Sequence, residues 1–535
     1  MSAGEHWDYI VVGAGAAGCV LANRLTASGV HRVLVLEAGG SDARLWIRVP
    51  AGFTRTIFDP SIGWGYSNTP SAATGNREIP CPRGRVIGGS SSINGHLYVR
   101  GQASDYADWA LACGEEWGWA GVLPYFRRAE TRIGGDPATR GLDGPLQVTD
   151  PRLRHPLCEA FIAAMRSVGS PLNPDYNSGD QEGCGYYQYL MRRGRRWSAA
   201  DAYLRPALLR PNFALRKHAQ VTRIVFEGKR AVGVEYRIGG QARMARAAAE
   251  VLVAAGAINS PQLLQLSGIG APERLTALGL TLVHPSPAVG EGLVDHYAVR
   301  VAARVRGIGS LNERSHGARL LAEGLKYLVA RRGILCSAVA HAYGFLKLTP
   351  GQTRPDTQLL FAPASYERGR VGQADLERSP GLTCGISQPR PRSRGYVRIR
   401  SGDALAPPEI QPNYLSANED RELFLRGLQF VRRLFAAPAL ARYIQAETWP
   451  GPAVSSEEQL SEFVRMTGST VYHPVGSCRM GSDSAAPIDP QLRVRGVQSL
   501  RVIDASVMPS MVSGNTYAAT IMVAEKGAQL VLDGR

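Results

Sequence analysis

Short unbroken apolar runs alternate along this chain with stretches of helical periodicity, and glycine or proline marks most of the changes. Residues 8–12 form an apolar, β-branched run that predicts a buried strand. A helical pattern follows over 19–27, and residues 32–36 predict a second buried strand ending on Glu37. Residues 41–79 carry Pro50, Pro60 and Pro70 around Trp64 and Tyr66 and read as a long excursion. Residues 84–95 read as a loop rich in glycine and serine. Helical periodicity is expected over 103–130, anchored by Trp109, Trp117, Trp119 and Phe126, and again over 156–168 and 199–209, with a loop over 169–185. A hairpin is expected from 214–226 and 231–237 around Gly228-Lys229-Arg230, then a buried strand over 250–256 and a short helix over 261–266.

Residues 300–450 have another texture, with strands expected at 357–362 and 396–399 between helices at 316–330 and 419–435. This predicts a second, largely antiparallel domain. The C-terminal stretch returns to the first style, with a strand over 500–504 and a closing helix over 517–532. The fold class expected is α/β (α+β overall), with a discontinuous first domain over 1–155, 200–300 and 474–535 and a second over 156–199 and 301–473. The chain of 535 residues is long enough for two domains.

The first strand breaks into Gly13-Ala14-Gly15-Ala16-Ala17-Gly18. Gly13 permits a tight turn, Gly15 leaves room for a pyrophosphate, and Gly18 lets helix and strand pack closely. The helix N-terminus then offers unpaired N–H groups and partial positive charge to phosphates. Glu37 follows about 20 residues on, where a carboxylate accepts ribose hydroxyls. Its charge argues against a 2′-phosphate but does not separate NAD from FAD.

Composition narrows the setting. The chain is 44% hydrophobic and 20% charged, as in ordinary globular proteins, and no run of apolar residues is long enough to span a membrane. The strand pattern begins at Asp8 and leaves no room for a signal peptide, so a cytoplasmic protein is expected. Eight scattered cysteines show no C-x-x-C spacing, which points away from disulfides and from a metal site. The net charge of +16 is carried almost wholly by arginine spread along the chain. That reads as a solvated surface and not as a nucleic-acid interface, and the cluster 192–196 is left unassigned.

Three more segments bear on chemistry. Residues 84–95 combine adjacent glycines with hydroxyls, which suits an anionic or heteroaromatic ligand and equally a surface loop. Residues 256–270 read as strand, turn, short helix and glycine stop. His473, in a stretch ending at Gly481, and Asn515 lie near the C-terminal end. A histidine takes up a proton near neutral pH, and an asparagine holds an oxygen without competing for that proton.

Together these segments resemble the glucose–methanol–choline (GMC) family of FAD-dependent oxidoreductases, over the whole chain. The fingerprint, internal signatures at 84–94 and 256–270, and the His473…Asn515 pair occur in the family's order. The resemblance implies a Rossmann-like FAD-binding domain and a substrate domain built on an antiparallel sheet with helices. It implies that Gly13, Gly15, Ala16, Ala17 and Gly18 line the FAD pyrophosphate, that Glu37 and Ala38 hold the adenosine ribose, and that Val221 meets adenine. It places Arg85, Gly88, Ser92, Asn94 and Gly95 beside the pyrophosphate and flavin, and Asp504, Ala505, Asn515 and Thr516 at the flavin edge. His473 is implied as the base and Asn515 as its partner, where many relatives have a second histidine. Some relatives tether FAD through a histidine in the glycine/serine loop; the matching residue here is Ile93, so FAD is expected to be non-covalent. His96 stands where bacterial relatives often carry methionine.

The implied reaction is oxidation of a primary alcohol to an aldehyde, by proton abstraction at His473 and hydride transfer to flavin N5. O2 or another redox carrier would take the electrons. The closing helix would stabilise negative charge on the reduced flavin. Tyr472 with His473 and Asn515 would contact substrate, and Tyr343, His341 and Tyr366 are further candidates for an aromatic wall favouring an arylic or otherwise flat alcohol. The alternative is an FAD-containing lyase of the same fold, hydroxynitrile-lyase-like, without net redox.

Overall fold

The structure is a computed structural model that describes residues 6–367 and 375–534. Strand β1 (His6–Val12) leads into helix α1 (Ala16–Leu25) and strand β2 (Val33–Leu36). β1 pairs parallel with β2 on one side and with the strand Gln241–Val253 on the other. Their apolar residues are buried almost throughout, as expected for parallel strands covered on both faces. The seven-stranded sheet runs Phe213–Arg216, β2, β1, Gln241–Val253, Arg230–Ile238, Gln220–Glu227, with Leu500–Val502 added parallel beside Gln241–Val253. Gln241–Val253 is the joint, since its first half pairs antiparallel with the hairpin and its second half parallel with β1.

The strand expected over 214–226 divides in two. Its first part pairs parallel with β2 and its second antiparallel with Arg230–Ile238. Between them His218 adopts φ +54°, and the N–H groups of His218 and Ala219 donate to the carbonyls of Gly39 and Glu37 (2.9 and 2.8 Å). Those carbonyls continue the tip of β2, so satisfying them turns the chain. The helix expected over 103–130 also divides, into Ala103–Cys113 and Trp119–Ala129, where Gly114 and Gly118 interrupt it. Trp109, Trp117 and Phe126 are fully buried, whereas Trp119 is half-buried. Over 199–209 the chain forms a wide turn of π-helix (Ala200–Leu204) before Arg205–Ala207.

A second seven-stranded sheet has its path Ile444–Trp449, Tyr297–Val305, Gly381–Ser387, Thr357–Ala362, Ala342–Leu346, Gly183–Tyr186, with every neighbouring pair antiparallel and Ser469–Thr470 added beside Tyr297. Strand alternation divides its side chains. Tyr297, Val299, Val301, Ala303 and Val305 pack into one core with the helices Pro156–Ser167 and Asn418–Ala436. Ala298 and Arg300 point to the opposite face.

The helix Tyr517–Leu532 is buried almost all round and packs on α1. Its Glu525, fully buried, accepts from Arg24 (2.8 Å), Arg128 (2.8 Å) and the Tyr203 hydroxyl (2.8 Å). Among the described residues, no helix is long and apolar enough to cross a membrane. All eight cysteines are buried free thiols.

Candidate active site

A cavity of about 320 Å³ lies between the C-terminal ends of the parallel strands and the inner face of the antiparallel sheet. This is where open α/β sheets bind ligands. Its floor begins with Gly13, Gly15, Ala16 and Ala17. Gly15 caps α1 without a side-chain bond and no acid stands in the first turn, so the helix N-terminus presents bare N–H groups. Gly18 is not on the wall. A Cβ there would sit 1.8 Å from the Gly13 carbonyl oxygen, so its absence lets α1 pack onto the turn. The glycine/serine loop approaches just as closely, since a Cβ on Gly89 would lie 2.8 Å from the Gly15 Cα.

Glu37, Ala38 and Val221 line the same end. The Glu37 carboxylate accepts from the N–H groups of Ala14 (2.8 Å) and Gly39 (2.7 Å). Burial outweighs those two bonds and lifts its pKa to about 7. Asn94, Gly95 and Ile93 line the middle of the cavity, as do Asp504, Ala505, Asn515 and Thr516. Three other residues of the glycine/serine loop stand off the wall. Arg85 is exposed, lies over the Trp64 ring and donates to Gln220. The Gly88 N–H donates to the Ala14 carbonyl (2.8 Å), and the Ser92 hydroxyl to the Ile87 carbonyl (2.7 Å). Gly88 and Ser92 brace the loop, and Gly84, Gly89, Ser90 and Ser91 form the wall instead.

At the far end His473 and Asn515 meet. His473 Nε2 lies 3.0 Å from Asn515 Nδ2, and His473 Nδ1 lies 3.0 Å from Nδ1 of His296, a residue that no motif singles out. His296 Nε2 lies 2.8 Å from the Pro389 carbonyl oxygen. The carbonyl can only accept, so His296 Nε2 carries the proton and its Nδ1 is a bare acceptor. His473 Nδ1 must then donate, which leaves Nε2 of His473 as a lone pair facing the Asn515 amide. The tautomers follow from the network of neutral rings. Burial, then His296, then Arg83 hold the His473 pKa well below its usual value, and burial lowers that of His296 to about 4. Both imidazoles are therefore neutral at neutral pH.

Asp295 fixes this pair. Its buried carboxylate accepts from the N–H of His296 (2.9 Å), the N–H of His473 (2.7 Å) and the hydroxyls of Thr470 and Tyr414. The Asp295-His296 doublet immediately precedes a buried strand, and His296 lies 177 residues from His473 in sequence, so no local spacing announces it. Arg83 donates to the Tyr472 carbonyl (2.6 Å) and holds the loop before His473.

Tyr472 and Tyr366 line the cavity, whereas Tyr343 and His341 do not. Tyr343, paired with Leu360, packs with Tyr176, Tyr187 and Phe345 in a cluster beside the wall, and His341 is buried beside Tyr189. The aromatic wall is thus narrower than the sequence suggests. His96 does reach the cavity, buried edge-on between Phe53 and Tyr189, with neither ring nitrogen hydrogen-bonded among the described residues. Burial, then Arg196, keeps its pKa well below the usual value. The helix Tyr517–Leu532 points its N-terminus into the cavity through Thr516, Tyr517 and Thr520, with no acid in its first turn.

The fold and these motifs have counterparts. GMC oxidoreductase family models match residues 7–298 and 391–524. The chain is 39% identical over 531 residues to an alcohol dehydrogenase (acceptor) of Pseudomonas putida, covering 98% of this chain and 96% of that one. It is 42% identical over 537 residues to the mitochondrial choline dehydrogenase of Homo sapiens, covering 98% and 90% respectively. The crystal structure of pyridoxine 4-oxidase from Mesorbium loti matches with a TM-score of 0.88 at 30% identity, covering 98% of each chain. The chain belongs to the GMC oxidoreductase family and is an oxidoreductase with a Rossmann-like domain.

Proposed function

We propose that the cavity binds FAD non-covalently and that the enzyme oxidises a primary alcohol to an aldehyde, with His473 as general base. The observation that carries this reading is the ordered chain from Pro389 through His296 and His473 to Asn515, which leaves one bare imidazole nitrogen at the cavity. The names of the relatives, alcohol and choline dehydrogenases, support the reaction class.

The residues present fit the cofactor. The uncapped α1 N-terminus beside Gly15 and Gly89 leaves backbone donors and bare space for a pyrophosphate. Glu37, on two backbone donors, retains lone pairs for ribose hydroxyls. The Asn515 Oδ1, buried and without a partner among the described residues, and the N-terminus of Tyr517–Leu532 wait for a polar ring. Ile93 has no nucleophile with which to tether it. FAD bound there supplies the acceptor for the hydride that leaves the alcohol carbon. In this reading the seven-stranded mixed sheet serves the cofactor and the antiparallel sheet roofs the substrate.

The alcohol oxygen takes the place of the Asn515–His473 contact. It accepts from Asn515 Nδ2 and donates its proton to His473 Nε2 as the carbon–hydrogen bond breaks. The His473 Nδ1–H stays on His296, whose Nδ1 accepts it, so the ring cannot rotate away. Tyr472 and Tyr366 favour a flat substrate. The electron acceptor is O2 or a redox carrier. The test is anaerobic addition of primary alcohols to the holoenzyme while flavin absorbance is followed. Bleaching with aldehyde formation is expected. Aldehyde release from a cyanohydrin without bleaching identifies a lyase and overturns the reading.

A further inference from the structure

The substrate end of the cavity has an unusual charge balance. Two carboxylates line the cavity, Glu37 at the nucleotide end and Asp504 in the middle, and both are engaged. Glu37 is held by Ala14 and Gly39, and Asp504 by the N–H of Gly256 (2.8 Å), the Ser260 hydroxyl and Ser506. At the other end stands Arg300. It lies on the inner face of Tyr297–Val305, opposite Gly385 in the ladder and two residues from Ala298, so nothing bulky covers it from its own sheet. Its remaining ladder neighbours on that face, Leu360, Ala362 and Thr383, bear no charge.

Among the described residues Arg300 makes no ion pair and no hydrogen bond, although most arginines of this chain that stand half-buried have a carboxylate or a carbonyl. Tyr472 and Tyr366 are its electrostatic neighbours, and neither hydroxyl has a partner among the described residues. Burial pulls the guanidinium below its usual pKa without discharging it. A half-buried, unpaired guanidinium costs free energy unless a ligand pairs it. A guanidinium and two phenolic hydroxyls, each able to donate, thus lie near one another on the lining that also carries His473.

We propose, on the footing of the alcohol-oxidising function above, that Arg300 with Tyr472 and Tyr366 forms an anion subsite, and that the substrate is a primary alcohol bearing a carboxylate. The planar fork of arginine suits a carboxylate held by two bonds. Arg300 stands on the strand that His296 immediately precedes, so the imidazole pair and the guanidinium are set at one cavity by the same element. The same charge repels a cationic alcohol such as choline.

The experiment compares 4-(hydroxymethyl)benzoate with its uncharged amide, 4-(hydroxymethyl)benzamide, and with choline, on holoenzyme of wild type, R300K and R300A. Anaerobic flavin reduction gives kcat/KM-type constants, and titration with benzoate, followed by the flavin spectrum, gives binding without turnover. Wild type is expected to prefer the carboxylate over the amide by about tenfold to a hundredfold, the effect of one charge-assisted hydrogen-bonded pair. R300A should erase that preference and weaken benzoate binding by a similar factor, and R300K should keep part of both. Equal use of acid and amide by wild type, a preference untouched in R300A, or choline as the best substrate overturns the proposal. If no alcohol bleaches the flavin, the oxidation reading fails while benzoate binding still reports the anion subsite, so the two failures are distinct.

Discussion

On the side of the mixed sheet the cavity is walled by main chain: glycines, the bare end of α1, and a carboxylate held by backbone N–H groups. On the other side it is walled by single side chains, Arg300, Tyr472, His473 and Asn515, brought from well-separated places in the chain. A backbone cradle needs particular residues at fixed short spacing, because the turn that makes it is local. A side-chain site needs only that strands and loops converge, and it tolerates any sequence distance. The first kind fixes where a large planar or anionic group rests, and the second decides what is done beside it.

The contrast can be broken from either side. The largest effect is expected at the side-chain wall. His473→Ala should lower kcat by about 10²–10⁴ while the flavin spectrum of the purified protein is retained. Near-normal turnover would assign the base elsewhere. At the backbone wall, Gly18→Ala forces a Cβ against the Gly13 carbonyl, 1.8 Å away before relaxation. It should cost about 3 kcal/mol or more of stability and reduce flavin content together, whereas His473→Ala should leave both intact. Thermal melts of the two variants, set beside their flavin-to-protein ratios, make that comparison.

Glu37 sharpens it further. Its pKa is raised from 4.5 to about 7 in the folded protein. The associated stability is present below pH 4.5 and is lost as pH rises through about 7, to the extent of about 3 kcal/mol. Protein stripped of flavin should therefore lose Tm from about pH 5 to about pH 8, and Glu37→Gln should flatten that slope. The smallest effect is expected at His296. His296→Leu should lower kcat about tenfold, the equivalent of one neutral hydrogen bond. Because His296 helps depress the His473 pKa, its loss should move the acid limb of kcat/KM upward toward the ordinary histidine value. His296→Gln, which can accept and donate in line, should restore part of the rate.

The same contrast explains what could be read from the sequence. β1, α1 and β2, with Glu37 closing β2, follow from local periodicity and glycine spacing, and the closing helix over 517–532 appears with the bounds expected. The division of 214–226 escapes notice because the carbonyls that turn the chain, at Gly39 and Glu37, are far away in sequence. Gly18 faces the turn and not the cavity, the packing role that the third glycine of the fingerprint carries in sequence. His473 and Asn515 stand out only through family resemblance. Asp295, His296, Arg83 and Arg300 leave no local signature, since each matters only through what the fold sets opposite it. Tyr343 and His341 mislead in the other direction, because a ring on the cavity's own sheet can pack among its neighbours beside the wall instead of forming it.

The pairing of Tyr517–Leu532 with α1 bears on synthesis. Arg24 and Glu525 are 501 positions apart, and Glu525 has all its partners only when α1, Trp119–Ala129, Ala200–Leu204 and the closing helix are in place together. Early segments generally begin to fold as they leave the ribosome. Here α1 must wait, one face uncovered, until the chain has emerged through residue 532. The nucleotide cradle and the amide of Asn515 therefore mature in the same late event, so a chain arrested before that helix should hold neither flavin nor a finished catalytic pair.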